Sequence, residues 1–195
     1  MRWLFFTVGA LLSVSTTPAA IGGFELLGTV HAGGRPKAHA VVWLDVANGA
    51  GLRPLRQPKK VVLDQRTSTF FPRVLAVQVG TTVDLPNNDR VFHNVFSFHD
   101  GKKFDLGLYP VGTVKQVTFD HPGLSRIFCN IHPNMAAYVM AVETPYFSVS
   151  DAEGQFTIAS VLPGSYTYHA WRSGGADLTG SAVLEAGKPL DIRWP

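Results

Sequence analysis

The sequence predicts an all-β protein, and three observations carry that expectation. The 195 residues include 19 Gly and 13 Pro, normal for a turn-rich β chain and high for a helical one. Short apolar runs recur every 8–12 residues between Gly/Pro turns, the rhythm of a sandwich. No stretch holds a 3.6-residue apolar period. Hydrophobic residues make up 46% and charged ones 16%, so the chain is not disordered, and its length allows one large β domain or two small ones.

Met1-Arg2, the apolar run Trp3 to Leu12 and the small residues of Thr17-Pro18-Ala19-Ala20 read as a secretory signal peptide over residues 1–20, cut after Ala19 or Ala20. That run is too short to cross a bilayer of ~30 Å, and no later stretch approaches ~20 apolar residues. The expectation is a periplasmic protein with no membrane span in its mature form. Removing residues 1–20, with Arg2 and no acid, lowers the formal charge of +3 to +2. That is too little for a strong phosphate-binding surface, which argues against nucleic acid as the main partner.

Beyond residue 20, Phe24 to Val30 and Ala38 to Val46 flank Gly33-Gly34-Arg35-Pro36, a hairpin or loop. Asn48 to Lys60 reads as a linker. Val61 to Leu63, Leu75 to Val79 and Thr82 to Leu85 are strand candidates, followed by the polar loop Pro86 to Arg90. Val91 to Phe98 is apolar on both alternating faces, which predicts two-sided burial of part of that strand. Val114 to Phe119, Ser125 to Cys129 and Ala136 to Val142 follow. From Tyr146 the chain reads strand and turn again, with turns at Asp151 to Gly154 and at Pro163-Gly164.

Chemistry concentrates in Cys129-Asn130-Ile131-His132-Pro133-Asn134-Met135. With 7 His and 3 Met in the chain, His at +3 and Met at +6 from the single Cys arise by chance about once in 2,000 trials. One cysteine excludes an internal disulfide and any multi-cysteine zinc or iron–sulfur site. Taken singly, Cys129 reads as a buried structural thiol and Met135 as a core filler. Together, thiolate, imidazole and thioether form a soft donor set that suits copper and not magnesium or calcium. Zinc could use the same groups, although Met is a poor fourth donor to it. His93, beside the polar loop, is the best candidate for the remaining ligand. Apolar Val95, Phe96, Phe128 and Ile131 would exclude water. No Ser-His-Asp set, carboxylate pair or phosphate loop appears, and the His-x-His pairs of multicopper enzymes are missing, so the expectation is a non-enzyme.

Phe71 to Asp89 followed by His93-Asn94-Val95, with the Cys-x-x-His-x-x-Met loop, resembles the cupredoxin (blue copper) family of plastocyanin, pseudoazurin and amicyanin over about residues 61–143. The resemblance implies a Greek-key β-sandwich holding one type 1 copper ion. It assigns His93, Cys129, His132 and Met135 as ligands, the Asn94 backbone N–H as a donor to the Cys129 sulfur, and His132 with Pro133 as the electron-transfer surface. It implies a redox protein, a cytochrome or dehydrogenase, as partner. Residues 21–46 and 146–195 resemble the two parts of a carboxypeptidase-regulatory-like (transthyretin-like) sandwich, through Gly28-Thr29-Val30, Ala38 to Leu44, Asp151-x-x-Gly154-x-Phe156-x-Ile158 and Leu162-Pro163-Gly164-x-Tyr166. The whole is similar to periplasmic methylamine-utilisation proteins.

The expected function is one-electron transfer. The alternatives are copper storage or delivery, and a non-redox binding module. His31, His39, His99, His121 and His169 show no ligand spacing. Phe70, Phe71, Phe104 and Phe119 read as core, Trp171 and Trp194 as sandwich core or edge, and Lys59-Lys60 and Lys102-Lys103 as solvated surface.

Overall fold

The computed structural model describes residues 22–46, 60–98 and 100–195; the signal-peptide segment with Ile21, residues 47–59 with all but the last residue of the linker, and His99 lie outside the described residues. All regular structure among them is β, as the turn-rich composition predicts. No helix there is long and apolar enough to cross a membrane.

Two layers are built from the two ends of the chain. In one, Phe24–Ala32 pairs antiparallel with Gln155–Val161 and parallel with Leu190–Trp194. In the other, Val41–Val46 lies between Phe147–Val149 and Gly164–Trp171, and Leu178–Leu184 closes the far edge. Alternation decides what faces inward. Leu26 and Val30, Phe156 and Ile158, and Leu190, Ile192 and Trp194 all point into the space between these sheets. Each such aliphatic side chain contributes ~1.5–3 kcal/mol on burial. Gly28 sits where a Cβ would lie 2.1 Å from the Phe156 ring, so only a bare backbone lets that ring pack. Gly33 and Gly34 form a turn that brings Arg35 and Pro36 back onto Ala32 and His31. The chain then crosses to the opposite layer, so Phe24–Ala32 and Val41–Val46 face each other across a core and share no ladder.

The middle of the chain forms a separate pair of layers. A five-stranded sheet runs Phe104–Tyr109, His93–Ser97, Gly123–Phe128, Ala136–Val142, Val74–Gln78. A three-stranded sheet runs Val114–Phe119, Thr81–Pro86, Val61–Val62. Their shared core contains Leu63, Phe70, Val83, Leu85, Val95, Phe119, Ile127 and Val139, together with Cys129 and Met135. His93, Asn94 and Val95 are consecutive and all buried, so the start of that strand is covered on both faces.

A third cluster joins the two bodies. Val41 and Trp171 from the terminal sandwich pack with Val74, Met140 and Val142 from the middle one. His169 stacks on Trp43, ring centroids 5.0 Å apart, beside this junction, and its Nε2 lies 3.0 Å from Asp45.

Several sequence expectations need correction. Phe71 is 55% exposed rather than core, with the Arg66 guanidinium 4.0 Å above its ring. It alternates with the buried Phe70 on a three-residue strand, so only one of the pair can face inward. At the surface, Lys102 Nζ pairs with the exposed Asp120 carboxylate at 2.7 Å. The strand Phe104–Tyr109 escaped the sequence reading because Gly107, at φ 62°, sits within a register shift that spoils its alternation.

Candidate metal centre

Adjacent strands build the centre. His93 opens the strand His93–Ser97, and Cys129 directly follows Gly123–Phe128 in the neighbouring position. The residues after Cys129 turn back into Ala136–Val142, so Cys129 to Met135 form the connection of an antiparallel pair. Two backbone bonds close that connection: Cys129 N–H donates to the Met135 carbonyl at 3.2 Å, and Met135 N–H to the His132 carbonyl at 2.9 Å. The loop is therefore a fixed turn, and it brings the side chains of Cys129 and His132 together.

The Cys129 sulfur lies 3.8 Å from Nδ1 of His93 and 3.6 Å from Nδ1 of His132. The ligand atoms of these three residues all lie within 4.8 Å of one another, and no other such His/Cys/Asp/Glu group occurs among the described residues. Metal–nitrogen bonds of ~2.0–2.1 Å and metal–sulfur bonds of ~2.3 Å, at trigonal or tetrahedral angles, separate donor atoms by ~3.3–3.8 Å. The two sulfur–nitrogen distances therefore fit a small metal ion shared by the thiolate and either imidazole. The two rings sit 4.7 Å apart by centroid, tilted 56°. Met135 is 1% exposed and packs in the same core, with its backbone bonded to both Cys129 and His132.

Exposure is uneven across the centre. His93 is fully buried and Cys129 is 5% exposed, whereas His132 is half-buried and Pro133 exposed. Val95 is buried. Phe96 and Phe128 are half-buried and stack with the exposed Phe98. Ile131 departs from expectation: at 48% exposed it stands on the rim and cannot shield an ion from water. The extended turn after Cys129 leaves no layer above it to bury the residue.

Asn94 is buried, and its carboxamide donates to Asp105 Oδ1 at 2.9 Å, bracing the neighbouring strand where its register shifts.

Asp89, which the sequence did not single out, meets the far side of His93, with the buried Tyr109 on the neighbouring strand. Asp89 Oδ2 lies 2.9 Å from His93 Nε2. The Ser68 N–H on this carboxylate is the largest of the effects that hold its pKa down to about 2; burial opposes it and His93 adds to it. Tyr109 pairs with His93 across the ladder and is 2% exposed. Burial pushes its phenol up to about 12, with the nearby Cys129 adding to the rise and the Gln65 hydrogen bond opposing it. The Tyr109 hydroxyl donates to the Leu85 carbonyl at 3.1 Å and is hydrogen-bonded to the buried Gln65 amide. The only sequence signal for Asp89 was its place four residues before His93 in a polar loop.

No protein-family model matches the chain, and no curated protein matches it. Among solved structures, it is similar to a purple cupredoxin from Nitrosopumilus maritimus at 24% identity, over 43% of this chain and 100% of that one, with a TM-score of 0.39. It is similar to a reduced variant of amicyanin at 22% identity, over 51% of this chain and 99% of that one, with a TM-score of 0.39. It is also similar to a copper-containing nitrite reductase from Thermus scotoductus at 22% identity and a TM-score of 0.42, over 58% of this chain but only 28% of the reductase.

Proposed function

We propose that this chain is a blue copper protein of the periplasm that carries single electrons between redox proteins. The observation that carries the reading is the convergence of the Cys129 sulfur with the Nδ1 atoms of His93 and His132, at 3.8 and 3.6 Å. Two imidazoles and one thiolate in a trigonal set, with a weak axial thioether, are the donors of an electron-transfer copper site. Met135, buried in the same core and bonded through its backbone to Cys129 and His132, is the thioether assigned to that role in this reading.

A bound copper ion supplies a one-electron couple between its Cu(II) and Cu(I) states. The protein's share of the work is to hold donors still and keep water out. Cys129 and His93 are anchored on neighbouring strands of one sheet, so neither donor must move far when the charge changes. His132 brings the centre to the surface. Exposed Ile131 and Pro133 surround it with an apolar rim on which a partner protein can dock closely. A closed donor set leaves no position for substrate, which favours a carrier over an enzyme.

Addition of Cu(II) to the pure protein should give an intense visible thiolate-to-copper band and reversible one-electron voltammetry. The variant Cys129→Ser should lose the band completely. Retention of the colour in that variant would overturn the assignment. A colourless complex that surrenders Cu(I) to a chelator and shows no reversible wave would instead favour copper delivery.

A further inference from the structure

We propose that Asp89 is a positioning residue of this centre, locking the His93 ring so that its Nδ1 lone pair faces the Cys129 sulfur and setting a negative charge one imidazole away from the ion site. The second half of this statement rests on the copper reading; the first does not.

The geometry is that of a carboxylate–histidine pair built in advance. His93 is fully buried, and Asp89 Oδ2 meets its Nε2 at 2.9 Å with the carboxylate side chain only 10% exposed. A neutral imidazole carries one proton. With a carboxylate accepting from Nε2, that proton is at Nε2 and the lone pair is at Nδ1, on the side of the sulfur. The opposite tautomer would set a carboxylate against a lone pair and turn an N–H towards the ion.

The carboxylate is itself held. Ser68 N–H donates to Oδ2 at 2.6 Å and Arg90 N–H to Oδ1 at 2.8 Å. Asp89 N–H donates to Oδ1 of the fully buried Asn87 at 3.1 Å. The Asn87 carboxamide in turn donates to the carbonyls of Val91 and Tyr109. Asn88 N–H donates to the Gln65 carbonyl at 3.0 Å, so the hairpin that carries Ser68 is stitched to the loop that carries Asp89. Among the described residues nothing comparable meets Nε2 of His132. One imidazole is thus fixed in the interior, and the other is free at the surface.

Two substitutions separate ring-holding from charge. Asp89→Asn can keep an oxygen towards Ser68 and His93 while losing the charge. Asp89→Ala removes both. In the metal-free protein, nitrogen NMR of the neutral His93 imidazole should find the Nε2–H tautomer alone in the parent and in D89N, and a mixture of tautomers in D89A. With copper, D89N should bind Cu(II) about ten- to a hundredfold more weakly. A neutral residue penalises Cu(I) less. Each tenfold change in the ratio of the two affinities raises the midpoint potential by about 59 mV. A D89A protein that folds and keeps the pure Nε2–H form would overturn the ring-holding role. An unchanged potential in D89N would overturn the charge role. Should the parent show no thiolate-to-copper band while the tautomer result holds, the copper reading fails and the ring-holding assignment stands.

Discussion

Met135 is the proposed ligand whose role is hardest to separate from simple packing, and substitution by Leu separates the two. Met135 is 1% exposed within the core of the middle sandwich, so a truncation confounds both roles. Met135→Ala would cost ~2–5 kcal/mol through lost burial and the cavity left behind. Met135→Leu nearly conserves volume and should cost less than ~1.5 kcal/mol. The two bonds that shape the loop, Cys129 N–H to the Met135 carbonyl and Met135 N–H to the His132 carbonyl, are backbone bonds and survive either change. For a chain of this length, ~1 kcal/mol moves the melting temperature by ~2–4 °C. The metal-free M135L protein should therefore melt within ~6 °C of the parent, whereas M135A should fall by up to ~20 °C. With copper, M135L should keep its thiolate band but shift its midpoint potential upward, because loss of the axial thioether removes a donor that favours the higher charge. The paired measurements are calorimetry on the metal-free proteins and voltammetry on the copper forms. A copper-loaded M135L protein with an unchanged potential and spectrum would reduce Met135 to a core filler and leave the centre with three protein ligands.

Two further outcomes follow from the packing. The buried Tyr109 phenol, pushed up to about 12, stays protonated in the folded protein while its unfolded counterpart ionises near pH 10. The unfolded state then binds fewer protons, so stability falls between about pH 10 and 12, by ~2–3 kcal/mol in all. Denaturant unfolding of the parent and of Tyr109→Phe across that range should show a steeper alkaline loss in the parent; parallel curves would contradict the shift. Gly28→Ala drives a Cβ into the Phe156 ring, 2.1 Å away, and towards the Leu190 carbonyl at 2.6 Å, so overpacking should cost ~1–3 kcal/mol, read as a lower melting temperature; an unchanged value would show that the two sheets can spread there.

The terminal sandwich was readable because its strands alternate cleanly. Leu190, Ile192 and Trp194 face inward while Asp191 and Arg193 face out, and that pattern requires nothing beyond a two-residue period. The clustering of Cys129, His132 and Met135 in one loop was equally readable. Cys129, His132 and Met135 lie within seven residues, and a short turn keeps them together whatever surrounds it. Exposure was not readable in the same way. Phe71 and Ile131 are as apolar as their buried neighbours, and only the absence of a covering layer puts them at the surface.

The amino-acid sequence alone determined the β class, the soft chemistry of the donor set and the identity of the loop that presents it, because composition, period and short-range spacing act within a few residues. The tertiary structure decided that His93, 36 positions before Cys129, meets the sulfur, and that Asp89 stands behind it. It also decided that Val41–Val46 ladders with strands after residue 146 and not with the middle sheets. The physical reason is shared: each of these contacts depends on which distant strands pair and in what register, and pairing is a property of the closed core that no local run of residues encodes.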